Sequence, residues 1–228
     1  MMRRNIALIP AAGVGARFGA GKPKQYVEIN GKTVLKHTIE IFEQHSRIDL
    51  IAVILSPEDS VFQTALSEKV RVFRVGGASR AETVRNGVSV LLEQGLAEAQ
   101  DNILVHDAAR CCLPAEALTR LLDEAGENDE GGILAIPVAD TLKRADGSHH
   151  IDETVARAGL WQAQTPQLFQ TALLNRALSV DDLSEITDEA SAVEKLGIRP
   201  RLVQGDTRNL KLTLPQDEYI VRLLLKAV

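Results

Sequence analysis

Ile6 to Gln25 reads IALIPAAGVGARFGAGKPKQ, and this stretch decides the fold. Ile6, Ala7, Leu8, Ile9 and Pro10 are apolar and suit a buried strand. They run straight into a segment holding Gly13, Gly15, Gly19 and Gly21, with Arg17, Lys22 and Lys24 among them. Glycine admits positive φ and leaves its N–H uncovered, so a cationic loop this rich in it suits a chain of phosphates. Two stock motifs fail on spacing. The dinucleotide fingerprint needs glycine where Phe18 stands, and a P-loop ending at Gly31-Lys32-Thr33 needs one where Tyr26 stands. For Gly21-Lys22 the upstream position is Ala16, and Pro23 replaces the hydroxyl residue. Two readings are left open: a phosphate loop of another kind with Arg17 and Lys24 as fixed cations, or an ordinary βα turn with a basic edge.

Outward from that loop the pattern alternates. Leu35, Ile39 and Phe42 have helical spacing, Asp49 to Ser56 reads as a second buried strand, and Pro57-Glu58-Asp59 starts a short helix. Strand Val70 to Val75 leads through Gly76 to Arg80 into a helix with Val84, Val88, Leu91 and Leu92. Asn102 to His106 is a strand, a helix after Pro114 carries Leu118, Leu121 and Leu122, and Gly132 to Val138 is a fifth strand. Repeated βα units with continuously apolar strands predict a mainly parallel α/β sheet covered by helices on both faces. Ligands of such sheets bind at the carboxyl ends of the strands, which selects Gly13 to Lys24, Gly76 to Arg80 and Asp107 to Arg110.

The alternation breaks at residues 140–156. Asp146-Gly147 signals a hairpin between polar flanks, too polar to be stabilised by a buried face of its own. Spacing leaves open a solvated loop or an arm that leans on something else. From Pro166 the chain is expected to return to helices, around Ala172 to Leu178 and Asp188 to Leu196. A strand near Arg201 to Val203 follows, and a last helix from Pro215 to Lys226 buries Ile220, Leu223 and Leu224.

The chain of 228 residues suits one domain, 1–228, with a single core. It is 45% hydrophobic, with no apolar run near the roughly 20 residues of a membrane span. A formal charge of −5 argues against a general nucleic-acid binder, so its cations must be concentrated locally to hold an anion. The start MMRRNIALIP is too short in apolar residues for a secretory signal. Cys111 and Cys112 are neighbours that would close no useful loop, which points to a reducing, cytoplasmic setting.

Pro10-Ala11-Ala12-Gly13-x-Gly15-x-Arg17 and Pro23-Lys24-Gln25-Tyr26 resemble the signature of the 2-C-methyl-D-erythritol 4-phosphate cytidylyltransferases of non-mevalonate isoprenoid synthesis. The resemblance continues in order through Gly76-Gly77 with Arg80, His106 to Arg110, Pro137 to Arg144, Leu160-Trp161, Thr165-Pro166-Gln167, Thr187 to Ala190 and Asn209-Leu210-Lys211. It implies a Rossmann-like fold similar to the nucleotide-diphospho-sugar transferases, and a homodimer interlocked through arms at 140–156. It also implies cytidylyl transfer from CTP to methylerythritol phosphate with Mg²⁺. A cytidylyltransferase for ribitol 5-phosphate and a non-catalytic nucleotide-binding module are the competing readings.

The resemblance assigns catalysis to Arg17, Lys24, Arg157 and Lys211. It gives the nucleotide Ala11, Ala12, Gly13, Val14, Gly15, Lys24, Gly77, Arg80, Thr83, Asp107 and Ala108. The second substrate falls to Asp107, Arg110, Thr141, Arg157, Thr165 and Lys211, with Thr141 and Arg157 supplied by the partner's arm. Asp107 is the candidate metal ligand, since Mg²⁺ favours oxygen donors and reaches proteins through one or two carboxylates plus phosphates. The alternative for this residue is a loop aspartate capping the next helix. His106 is read as structural because an ionised phosphate needs little general base, and His149-His150 as an exposed turn. Three departures from the family pattern bear on the site: Ala78 where an acidic residue is common, Thr83 where serine is usual, and Cys111 where proline is usual, which is expected to loosen the turn after Arg110.

Overall fold

The computed structural model describes residues 3–13, 23–63 and 67–226. The chain opens with β1 (Asn5–Pro10) and, after a 3-10 turn at Lys24–Tyr26, forms a small hairpin of β2 (Glu28–Ile29) and β3 (Lys32–Thr33). Then come α1 (Val34–Gln44), β4 (Leu50–Ile54), β5 (Val70–Phe73), α2 (Arg80–Glu93), β6 (Asn102–Val105), α3 (Ala115–Ala125) and β7 (Gly132–Pro137). The hairpin β8 (Leu142–Ala145) and β9 (Ile151–Val155) precedes β10 (Trp161–Gln170), α4 (Thr171–Leu178), α5 (Glu189–Glu194), β11 (Arg201–Gln204) and α6 (Asp217–Leu224).

Seven strands form one sheet in the order β11-β7-β10-β6-β1-β4-β5. β6, β1, β4 and β5 run parallel, as do β11 and β7, while β10 lies antiparallel between β6 and β7. Alternation along a strand divides the core. Ala7 and Ile9 of β1, with Ile51 and Val53 of β4, pack beneath α1 and α3; Ile6, Leu8, Leu50 and Ala52 pack beneath α2, α4 and α5. Past Asn5 at the start of β1, such strands are apolar at every position because both faces are covered, which is why they read so plainly.

Three expectations are corrected. Pro57-Glu58-Asp59 forms a turn with no helix among the described residues there, its Asp59 side chain accepting from the backbone N–H of Val61 and Phe62. The two helices expected after Pro166 do form, as α4 and α5, but they are preceded by β10, a long strand whose register shifts between Ala163 and Gln167, where the Thr165–Pro166 peptide is cis. A proline in a sheet is tolerated at such a bulge, where no ladder donor is needed. The last helix is shorter than expected, and it buries Val221 while Ile220 and Leu223 stay about half exposed. Asp146-Gly147 does mark a hairpin, but the left-handed residue is His149 at φ 63°, and the Asp146 side chain accepts from the N–H groups of Ser148 and His150. The Asn30-Gly31 turn of β2 and β3, at φ 52° and 82°, carries the hairpin signal that the segment had offered unread.

β8 and β9 face solvent along almost their whole length, and Ile151 is 67% exposed. The region 140–156 therefore stands off the sheet as an arm.

Candidate active site

β1 has β6 on one side and β4 on the other; the connection leaving β1 runs towards β4, and the one leaving β6 runs the opposite way to β7. The crevice between β1 and β6 is therefore the switch point where such sheets take ligands. From β1 come Ala11, buried with its N–H on the Ile54 carbonyl at 2.8 Å, then Ala12 and the exposed Gly13. The buried Gln25 amide donates to the carbonyls of Ala11 and Gly13, both at 3.0 Å, and so joins the two ends of the glycine loop. Lys24 opens the 3-10 turn beside it, half-buried. Val14, Gly15 and Arg17 lie outside the described residues.

The neighbouring loop follows β5. A side chain at Gly76 would put its Cβ 2.3 Å from that of Ala12 and 2.7 Å from the Leu55 carbonyl, so only glycine lets the two loops touch. The Thr83 hydroxyl, in the first turn of α2, accepts from the Gly77 N–H at 3.1 Å and donates to the Ser79 carbonyl at 2.9 Å. Its donor is thus spent on shaping the loop, and the Ala78 N–H is held by Glu82.

Asp107, two residues past β6, sits at the mouth with a side chain 10% exposed. Its oxygens are shared by Arg80 Nε at 2.9 Å and Lys211 Nζ at 2.7 Å, with Arg110 Nε 3.7 Å away. Burial alone would raise this carboxyl; Arg80 and then Lys211 overcome it and hold the acid well below the ordinary carboxylate range. Arg80 also grips Glu189 with both terminal nitrogens, at 2.6 and 3.0 Å. Burial pushes Glu189 up while Arg80 pulls it back, and the proton of this forked pair stays on the guanidinium. Three cations against two carboxylates leave a local surplus of positive charge in an otherwise acidic chain.

Beneath the cluster, His106 is fully buried. Its Nε2 faces the Arg110 carbonyl at 2.9 Å and so donates, and its Nδ1 accepts from the Thr165 hydroxyl at 3.1 Å. That hydroxyl in turn accepts from the Asp107 N–H at 3.1 Å. Burial pushes His106 down to about 4, so it is neutral near pH 7 and serves as a strut. Thr165, 5% exposed, belongs to the same frame. Arg110 Nη1 donates to the Asn209 carbonyl at 2.6 Å, and the Asn209 amide donates to the Thr165 carbonyl at 2.7 Å. Beside them opens a cleft of about 290 Å³ lined by Arg110, Gln164, Asn209 and Lys211 among others. Ala108 is buried, its carbonyl accepting from Thr38 at 2.9 Å. Cys111 does not loosen the turn: it is 2% exposed in a cluster with Ile29, Leu212 and Val221, and the Arg110 N–H closes on the Asp107 carbonyl at 3.0 Å.

The fold thus brings Ala11 to Gly13, Gly77, Arg80, Thr83, Asp107, Ala108, Arg110, Thr165 and Lys211 around one crevice. Thr141 and Arg157 are exposed at the roots of the arm, and their side chains make no hydrogen bond or ion pair among the described residues. His149 and His150 are exposed at the arm's tip, and no group of three or more His, Cys, Asp or Glu side chains suited to a metal occurs among the described residues. Glu189 was missed as a site residue. Its signal was its place in Thr187 to Ala190, where a carboxylate follows the helix-capping Asp188.

A family model described as 2-C-methyl-D-erythritol 4-phosphate cytidylyltransferase matches residues 5–227. The chain belongs to this family. A 2-C-methyl-D-erythritol 4-phosphate cytidylyltransferase of Neisseria meningitidis is 70% identical over 231 residues, covering all of both chains. One from Chromobacterium violaceum is 50% identical over 97% of this chain and 98% of its own. A solved 4-diphosphocytidyl-2C-methyl-D-erythritol synthase superposes with a TM-score of 0.89 at 64% identity, over 99% of this chain and 100% of that one. The Francisella tularensis cytidylyltransferase follows at 0.82 and 32% identity, over 97% and 99%. Agreement of this extent makes the α/β sheet and its insertions those of the 2-C-methyl-D-erythritol 4-phosphate cytidylyltransferase family. No helix among the described residues is long and apolar enough to cross a membrane.

Proposed function

We propose that the chain transfers the cytidylyl group of CTP to 2-C-methyl-D-erythritol 4-phosphate, as family membership supports. The acceptor's phosphate oxygen bonds to the α-phosphorus, the bond to the β-phosphate oxygen breaks, and pyrophosphate leaves. Two anions must meet, so positioned cations are the main catalytic resource. The observation that carries the proposal is the surplus of cations around Asp107, at the switch point next to the glycine loop.

In this reading the backbone of Ala11, Ala12, Gly13, Val14 and Gly15 cradles the nucleotide, and Arg17 and Lys24 offset the charge that grows in the transition state. Gly77, Arg80, Thr83, Asp107 and Ala108 border the nucleotide, with base selectivity resting on backbone groups because Ala78 has no side-chain donor or acceptor. Asp107, Arg110, Thr165 and Lys211 meet the acceptor. Thr141 and Arg157 join them from the arm of a second copy, which the exposure of the arm and of Ile151 supports. Bound Mg²⁺, with Asp107 as the residue that would hold it, would add charge neutralisation at the phosphate oxygens. Among the described residues the donor set suits an ion carried on the substrate, with Asp107 the carboxylate that reaches the crevice and Glu189 buried behind Arg80, and does not suit a cage built by the protein. Two unbridged neighbouring thiols fit a cytoplasmic setting.

The test is pyrophosphate release with methylerythritol phosphate or ribitol 5-phosphate as acceptor, and with UTP and ATP replacing CTP. Release confined to CTP with methylerythritol phosphate is expected; equal release with the ribitol ester would move the assignment to another polyol phosphate. CTP binding without release would make the chain a nucleotide-binding module. Lys24→Ala is expected to slow turnover by roughly 10² to 10³ with folding intact, the loss typical of one transition-state donor.

A further inference from the structure

Glu189 is 1% exposed, yet it has no place among the groups that touch substrate in the proposed reaction. Its position is fixed from several sides. Asp188 caps α5, accepting from the Ser191 N–H at 2.9 Å, and its own N–H donates to Ser191 Oγ at 3.2 Å. Gln167 of β10 accepts from the Ala190 N–H at 2.8 Å and donates to Asp188 at 2.9 Å. Gln167 is paired in the sheet with Val105, the last residue of β6, so the site's own strand sets where Glu189 stands.

With both terminal nitrogens of Arg80 on Glu189, only Nε is directed at Asp107. Asp107 therefore keeps an oxygen for Lys211. If the Glu189 charge is removed, the guanidinium is free to turn its fork onto Asp107, and a planar bidentate grip outcompetes a single ammonium for a carboxylate. Lys211 then loses its partner and its fixed place at the cleft.

We infer that Glu189 is a positioning residue that acts through Arg80, apportioning Asp107 between Arg80 and Lys211 and so holding Lys211 where the acceptor phosphate arrives. The inference rests on the proposed cytidylyl transfer for its kinetic consequence and on this chain's own contacts for its chemical one.

Two readouts test it, with Glu189→Gln, Arg80→Ala and the double variant, each checked for folding by circular dichroism and assayed well below its melting temperature. Glu189→Gln is expected to lower kcat by about tenfold, weakening a transition-state contact without deleting it. KM for CTP should change less than kcat, because the Ala11 to Gly13 backbone that cradles the nucleotide is untouched while Arg80 and Asp107 only border it. Added to Arg80→Ala, the same change should cost less than about twofold, the non-additivity expected when one residue acts through the other. Wild-type kcat in Glu189→Gln, or the full tenfold loss repeated in the Arg80→Ala background, overturns the inference. Should Glu189→Gln not fold, Glu189→Asp serves: its shortened carboxylate keeps the charge but cannot hold the fork, and an unchanged kcat overturns the inference equally.

The second readout needs no activity. Acetic anhydride labelling of Lys211, followed by mass spectrometry against the protein's other lysines, should be about threefold faster in Glu189→Gln, since a side chain released from the 2.7 Å contact with Asp107 is more open to the reagent. Unchanged labelling overturns the inference even if pyrophosphate release is never seen, whereas absent release in the wild type with faster labelling condemns the reaction and leaves Glu189 its role.

Discussion

Two arginine–glutamate pairs in this molecule have the same 2.6 Å separation and opposite meaning. Arg80 and Glu189 meet under the site with side chains 29% and 1% exposed; Arg144 and Glu153 meet across the arm at 61% and 54%. The first pair is desolvated, held from both ends, and coupled to Asp107. The second is bathed in water that screens it and competes for both charges. Distance records that two groups touch; burial decides what it costs to part them.

The largest effect follows directly. Arg80→Ala leaves Glu189 buried without a counter-charge and Asp107 short of one, and is expected to destabilise the fold by about 3–5 kcal/mol in urea unfolding. Adding Glu189→Gln should recover a substantial part of that loss, since the buried charge is gone. A single variant no less stable than wild type would erase the distinction between the two pairs.

The second prediction concerns pH. Burial lowers His106 from 6.5 to about 4, against the upward pull of the Arg110 carbonyl and Asp107. The unfolded chain therefore binds this proton more readily than the folded one. His106 stabilises the fold fully above about pH 6.5, and that contribution is lost as pH falls through about 4, roughly 3 kcal/mol in all. Urea midpoints should fall across that window, and His106→Gln should flatten the slope there. Asp107, whose folded pKa is also depressed, acts lower: its contribution is present above the ordinary aspartate value of about 4 and fades only in stronger acid. A wild-type slope confined below pH 4 would show that His106 is not buried as a neutral ring.

The same contrast explains what the sequence disclosed. β1, β4 and β6 are covered on both faces, so apart from Asn5 and Asn102 at the starts of β1 and β6 their residues are apolar and announce themselves. β10 carries Gln164, Thr165, Pro166 and Gln167, because its buried polar side chains serve the frame around Asp107 and α5 and its proline sits at a shift in register. No simple period describes such a strand. Asp107, Arg110 and Lys211 could be proposed from strand ends and family resemblance. That Arg80 would be divided between Asp107 and Glu189 could not, since it depends on residues 27 and 109 positions apart meeting in space. α6 misled for a different reason: several apolar residues lie on it, but only Val221 turns to the cluster under Cys111, leaving Tyr219 70% exposed.

The smallest effect lies on the arm, and it sharpens the comparison most. A double-mutant cycle with Arg144→Ala and Glu153→Ala should give a coupling below about 1 kcal/mol at low salt, fading as ionic strength shortens the reach of exposed charges. Lys143 on the same hairpin donates to Thr154 at 2.6 Å, so the strands stay paired without the ion pair. The expectation is for a single chain in dilute solution. When the proposed second copy encloses the arm, water is excluded from the same two side chains at the same separation. The coupling should then rise with protein concentration, together with the midpoint of unfolding, as linkage requires of any contact made only in the folded dimer. A coupling that is weak and independent of concentration would leave the arm as solvated as it stands in one chain, and would remove the support for Thr141 and Arg157 crossing to a partner's site.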